Sequence, residues 1–219
     1  MADARVEPDS GPAAASFVTT EHFTLQSARS ATISESTGRA TMFLSAVSGG
    51  LIALGLIATA TRVGTAFFAM ALIVLPALAF TGLATYARVL QSGVEDLGYA
   101  RRITLLRTYY FDNTPELRRY LLNVPESERL HALGLPGGRR QGFVTVAGLV
   151  AVITSILTGS ATGVLAAVIS DHSLPIALLA GGPVGAVVLA ALMQHQYAYW
   201  MRGGSTPLTT GANTDPDTP

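Results

Sequence analysis

Four long stretches of the chain carry no charged side chain, and polar sequence separates or flanks them. These stretches cover residues 40–61, 63–87, 141–170 and 172–201. A helix rises about 1.5 Å per residue, so about 20 apolar residues cross roughly 30 Å of hydrocarbon. Burying four such helices in a water-soluble fold takes an outer amphipathic layer, for which the remaining chain is too short. The pattern predicts an all-α membrane protein whose four transmembrane helices span about residues 41–61, 64–87, 143–169 and 174–200.

The lengths of the connections predict how these spans pair. The turns within 39–88 and within 143–201 are so short that each pair of spans is expected to form an antiparallel transmembrane hairpin. Residues 89–142 between the hairpins are predicted to form a helical cytoplasmic insertion. The polar ends, 1–38 and 202–219, combine Pro, Gly and Ser with few large apolar residues, and both are predicted to be disordered or weakly ordered.

The insertion contains recognisable helix signals. After span two, apolar residues recur at helical spacing, which predicts that this helix continues outward as an amphipathic stalk, although Gly93 and Gly98 weaken it. Thr114 is a suitable cap, Pro115 suits a first helical position and Glu116 complements the helix dipole. We therefore expect a short helix through residue 122 and, after Pro125, another through residue 133.

The arginines predict the orientation in the membrane. All 14 basic residues are Arg, and only Arg62 lies in the two short turns at 59–65 and 170–175. The other 13 lie before the first span, between the second and third spans, or after the last span, and an excess of positive charge marks the cytoplasmic side. We expect a multi-pass cell-membrane protein with cytoplasmic N- and C-termini. The use of Arg without Lys, together with abundant Ala and Gly, is typical of a GC-rich bacterial genome.

The sequence lacks the side chains that most membrane chemistry uses. There is no Cys, and no Asp, Glu or Arg lies within a predicted span, where proton relays and ion-coupled transport ordinarily need them. The histidines, His22, His131, His172 and His195, lack the company of a metal site. Asp171 beside His172 is better interpreted as a solvated turn than as half of a metal site completed by another copy. We predict no enzyme activity, no cofactor and no metal.

Small residues four positions apart recur inside the spans. Such pairs let helix backbones approach closely in lipid. They either mediate dimerisation or pack helices within one chain, and the second use is favoured because one chain already supplies partners. Pro76 and Pro183 lie inside spans two and four, where static bends are favoured over gates. The pairs are Ser45/Gly49, Ala46/Gly50, Gly159/Gly163 and Gly181/Gly185.

Span three also places three hydroxyls on one helical face. Thr154, Thr158 and Thr162 recur at intervals of four. They either line a pore in an oligomer or form a packing face with local hydrogen bonds, which is the commoner use of Thr in membranes.

The function favoured by these patterns is a non-enzymatic scaffold or regulatory membrane protein acting through its cytoplasmic insertion. The alternative is a small oligomeric channel or facilitator lined by the Thr face. Besides the lipid bilayer, we expect a homo-oligomer or a protein partner. Nucleic acid is not expected, because nine arginines against six acidic residues leave residues 88–142 a net charge of only plus three. The candidate interaction surface comprises Arg101, Arg102, Arg107, Tyr109, Tyr110, Arg118 and Arg119.

The insertion also resembles a group of known sequences. Residues 99–103 (YARRI) and 106–110 (LRTYY), followed by Pro115-Glu116 and Tyr120-Leu121, resemble uncharacterised four-span integral membrane proteins of actinobacteria. The resemblance implies a multi-span membrane protein and brings no activity or site residue with it.

Overall fold

A computed structural model of the chain describes residues 12–113 and 145–204, with side chains described for 15–107 and 145–202. Within these residues the structure is all-helical, and each of its four helices is long and apolar enough to cross a membrane. The predicted all-α, multi-pass architecture is confirmed at this level. The helices are α1 (Pro12–Thr61), α2 (Thr65–Asn113), α3 (Val146–Ile169) and α4 (Leu174–Gly204).

The first two helices are much longer than a membrane is thick. α1 has 50 residues and α2 has 49, so each is about 75 Å long against roughly 30 Å of hydrocarbon. Both continue past the charge-free segments, through residues 12–40 of α1 and 88–113 of α2. These two segments together are called the stalk below.

The predicted disorder of residues 1–38 is wrong from Pro12 onwards, because α1 runs without a break from Pro12 to Thr61. The composition of this segment does not predict a helix. In proteins, however, most of the stability of a helix comes from tertiary packing rather than from its own propensity. α2 supplies that packing: Leu25 is buried, and Arg29 forms an ion pair with Asp96 on α2. At the other end, α4 continues to Gly204, three residues into the predicted tail.

The predicted continuation of the second span is present. α2 extends to Asn113 and is not interrupted at Gly93 or Gly98. Gly93 lies beside α4, since a Cβ placed on it lies 3.4 Å from Cζ2 of Trp200. The short helices predicted after Thr114 and Pro125 lie outside the described residues.

The helices pack in chain order. α1 packs against α2, α2 also packs against α3, and α3 packs against α4. Contacts between α1 and α2 run in opposite order along the two helices: Glu35 binds Arg88, Phe43 lies against Gly82, and Gly50 lies against Leu78. A core of buried apolar residues, including Phe43, Tyr86 and Val150, connects α1, α2 and α3.

Two tight turns close the helix pairs. Arg62 and Val63 after α1, and Asp171 and His172 after α3, all have positive φ, between 50° and 67°. The amide of Val63 donates to the carbonyl of Ala58, and the amide of His172 donates to that of Ala167. These bonds satisfy carbonyls at the two helix ends, as left-handed C-terminal caps do, here without glycine in the left-handed positions.

Candidate functional site

Glycines form a close crossing of α3 and α4. A Cβ on Gly159 would lie 2.7 Å from the carbonyl oxygen of Gly181, and a Cβ on Gly181 would lie 2.5 Å from that of Gly159. Gly185 lies against the Ser155 carbonyl, and Gly163 against that of Ala177. No side chain separates the two backbones. The prediction that these glycines pack helices within one chain is confirmed.

The small residues of α1 behave differently. Of the four residues in the two α1 pairs, only Gly50 faces another helix, with its Cβ position 2.8 Å from Cδ1 of Leu78 on α2. Ser45, Ala46 and Gly49 are exposed, and a Cβ on Gly49 would have nothing within 4 Å. For these three residues, packing within the chain was the wrong expectation. Spacing identified the pairs but not the direction in which they point.

The three threonines of α3 bond within their own helix. The hydroxyls of Thr154, Thr158 and Thr162 donate to the carbonyls four residues earlier, at 2.7, 2.8 and 3.0 Å. Thr154 is buried, and its hydroxyl lies against Gly82 of α2. Thr158 and Thr162 are half-buried. Within one chain, this face therefore packs against α2 through Thr154, and its three hydroxyls are hydrogen-bonded to carbonyls of α3 itself.

A set of hydrogen bonds towards the C-terminal end of α4, called the polar clasp below, connects α2, α3 and α4. The Tyr86 hydroxyl of α2 donates to the carbonyl of Leu192 at 2.7 Å, and both residues are buried. Gln196 donates to the hydroxyl of Thr145, which in turn accepts from the Gly148 amide and caps α3. Buried polar groups of this kind fix one arrangement because alternative arrangements leave them unpaired.

We expect Tyr86→Phe to weaken this clasp. The variant keeps the ring and loses the interhelical hydrogen bond, which is worth about 1 kcal/mol in membranes. Reversible unfolding in mixed micelles measures the change. Tyr199→Phe is the matched control, since the Tyr199 ring stacks on His195 but its hydroxyl has no hydrogen bond among the described residues. Equal effects of the two variants would refute the role of the clasp.

Ion pairs hold the two helices of the stalk side by side. Arg29 on α1 binds both carboxylate oxygens of Asp96 on α2, with N–O distances of 2.7 and 3.3 Å. Nearer the spans, Glu35 accepts from Arg39 of its own helix and from Arg88 of α2, at 2.9 and 3.1 Å. Sequence reasoning missed this feature.

The sequence of α1 contains a weak periodic pattern that indicates the stalk. The α1 residues that turn away from solvent recur at intervals of three and four, as in a coiled coil. Half of them are polar and two of the others are alanines, so a search for apolar periodicity does not find them. They are Val18, His22, Leu25, Ala28, Arg29, Thr32, Ser36 and Ala40.

The Glu35 pair makes the stalk sensitive to acid. Hydrogen bonds from Arg39 and Arg88 hold the pKa of Glu35 below its ordinary value of 4.5. A carboxylate with a lowered folded-state pKa stabilises the fold above its unfolded pKa, and this contribution is lost as pH falls through the folded value. We expect thermal stability to fall below pH 4.5 less in Glu35→Gln than in the wild type. An identical acid profile for both proteins would contradict this assignment.

The predicted interaction surface is only partly described. Arg101, Arg102 and Arg107 lie on the stalk part of α2, with Arg102 exposed and the other two half-buried. Tyr109 and Tyr110 belong to α2, but their side chains are outside the described set. Arg118 and Arg119 are outside it altogether. The structure therefore places five of the seven residues on one helix, three of them with described side chains.

Within the described ranges, no group of three or more His, Asp or Glu side chains is placed to hold a metal ion. Asp171 and His172 are neighbours with an O–N distance of 3.8 Å, and both are exposed. No family model, curated protein or solved structure matches the chain. The resemblance to actinobacterial membrane proteins stays a prediction.

Proposed function

We propose that this chain is a membrane scaffold or regulatory protein that acts through its stalk and the insertion following it. In this proposal the spans form two antiparallel hairpins in a bacterial cell membrane. The stalk and both termini lie on the cytoplasmic side. The arginine distribution supports the orientation, because only Arg62 lies at the opposite end of the spans.

The observation that carries the proposal is the stalk itself. Its two helical segments extend about 40 Å beyond the charge-free spans. Cross-helix pairs, Arg29 with Asp96 and Glu35 with Arg88, keep them together, and Leu25, Ala100 and Ile103 are buried. A paired, outward-projecting element of this length suits the presentation of a surface to a partner.

The channel alternative receives less support from the contacts. A pore needs hydroxyls that face water, whereas Thr154, Thr158 and Thr162 donate to carbonyls of α3. Thr154 also packs against α2. These contacts are those of a helix packed within a bundle.

Site-directed photocrosslinking in native membranes tests the scaffold function. A photoreactive residue in place of Leu105, which is exposed on the stalk, is expected to give one discrete, saturable adduct with a protein partner or a second copy. The double substitution Arg101→Ala and Arg102→Ala is expected to abolish the adduct. Phe80, exposed on the spanning part of α2, is the matched control position and is expected to label lipid. The same labelling pattern at both positions would refute the proposal.

A separate measurement tests the orientation. Tags at the two termini are expected to stay inaccessible to impermeant reagents in intact cells. Labelling of either terminus from outside the cell would contradict the proposed topology.

A further inference from the structure

An open-sided apolar groove runs along α3 and α4 on the side of the Arg62 turn. Its volume is about 740 Å³. Its walls extend over residues 152–167 of α3 and 174–189 of α4, and Phe67 and Phe68 at the start of α2 line it as well. The groove exists because the glycine crossing removes side chains: Gly159, Gly163 and Gly181 are among its lining residues.

The dimensions of the groove decide what fits into it. The lining residues of α3 and of α4 each extend over fifteen helical rises, which gives the groove a length of about 22 Å. At the glycine crossing the backbones of α3 and α4 are in contact, so the floor of the groove carries no side chain there. An extended hydrocarbon chain matches this length and this apolar lining.

The end of the groove at the turns is polar. The His172 ring lines the groove and packs against Phe68, with ring centroids 4.5 Å apart. Arg62 precedes the lining residue Val63, is exposed, and has no hydrogen bond or ion pair among the described residues. Asp171 at the same end is fully exposed and balances the charge of Arg62. A guanidinium group is well suited to bind a phosphate diester.

We propose that the groove binds a membrane phospholipid, with an acyl chain between α3 and α4 and the phosphate at Arg62. The proposal depends on the membrane location of the chain but not on its scaffold role. Surrounding lipid is as apolar as the groove, so burial of the chain alone gives little preference. The phosphate contact at Arg62 therefore determines which lipid is retained, and because Asp171 offsets the charge of Arg62, no additional negative charge on the headgroup is required.

A steric variant tests the place of the acyl chain. A Cβ on Gly182 has nothing within 4 Å, and Gly182 lines the groove, so Gly182→Leu fills it without disturbing the crossing. Gly49→Leu adds the same side chain at an equally open position on α1, away from the groove. Native mass spectrometry of the full chain in mild detergent counts the retained phospholipid. We expect wild type and Gly49→Leu to retain it, and Gly182→Leu to retain roughly tenfold less.

A charge variant tests the phosphate contact. Equal amounts of a phosphatidylethanolamine and a diacylglycerol with the same chains are offered to the delipidated full chain. We expect the wild type to select the phospholipid, and Arg62→Gln to remove that selection. Arg102→Gln, a neutralisation at an exposed position on the stalk, is expected to leave the selection intact.

Three results would overturn the inference. The first is equal retention in Gly182→Leu and Gly49→Leu. The second is selection of phospholipid that does not depend on Arg62. The third is a change of oligomeric state in Gly182→Leu without loss of lipid, measured by light scattering, which would assign the groove to a second copy. None of these results bears on the stalk crosslink, so the two proposals fail separately.

Discussion

Gly181→Val is expected to lower the free energy of unfolding by about 3 kcal/mol, whereas Gly49→Val, at an exposed position on α1 where a Cβ has nothing within 4 Å, leaves it nearly unchanged. The Cβ at position 181 lies 2.5 Å from the backbone oxygen of Gly159, and a backbone atom cannot rotate away as the end of a side chain can. α3 and α4 must therefore separate. In lipid this removes most of what holds them together, because close packing rather than hydrophobic burial drives helix association there.

The two variants form a controlled comparison. Both replace a glycine inside a charge-free helical segment by valine, so the change in intrinsic helix propensity is the same for the two variants. Reversible unfolding by denaturing detergent, monitored by circular dichroism, gives the difference. Similar unfolding free energies for the two variants would show that α3 and α4 are not in backbone contact at Gly181.

Reversing the charge of Asp96 is expected to open the outer part of the stalk. In Asp96→Arg a second guanidinium faces Arg29, which replaces an attraction by a repulsion at two half-buried side chains. A partly exposed bidentate pair contributes about 1 kcal/mol, so the reversal is expected to cost about 2 kcal/mol. Proteolysis or hydrogen exchange of residues 15–30 should therefore rise by more than tenfold.

A second substitution and a neighbouring control make this result specific. Arg29→Asp combined with Asp96→Arg restores the pair in reverse and is expected to recover most of the protection. Glu95→Arg makes the same charge change on the adjacent residue, whose recorded contact is with Gln91 of its own helix, and should have little effect. Failure of the double variant to recover protection would show that Asp96 does not act through Arg29.

The spans could be predicted because the bilayer imposes a requirement that each segment meets alone. A charge-free run of more than 20 residues satisfies the length criterion whatever its neighbours do. For this reason the predicted span at 174–200 falls inside α4, and the predicted span at 64–87 falls inside α2 except for its first residue. The positions of the helix ends also depend on contacts with other helices. For this reason α1 begins at Pro12 rather than near residue 41.

The glycine pairs show the limit of local pattern. Ser45/Gly49 and Gly181/Gly185 have the same spacing, yet the first pair is exposed and the second lies in the α3–α4 crossing. A spacing of four states that two residues share a face of a helix. It does not state which other helix that face meets, because this depends on how all four helices are arranged.

The sequence by itself determined the number and place of the membrane segments and the end at which the positive charge collects. Both follow from the transfer of single side chains between water and hydrocarbon, which each segment experiences independently. Only the tertiary structure decided that residues 12–40 are helical, that Thr154 faces α2, and that α3 and α4 meet backbone to backbone. These features are contacts between residues far apart in the chain. Their free energy exists only once a partner such as Asp96 or Gly159 is in place.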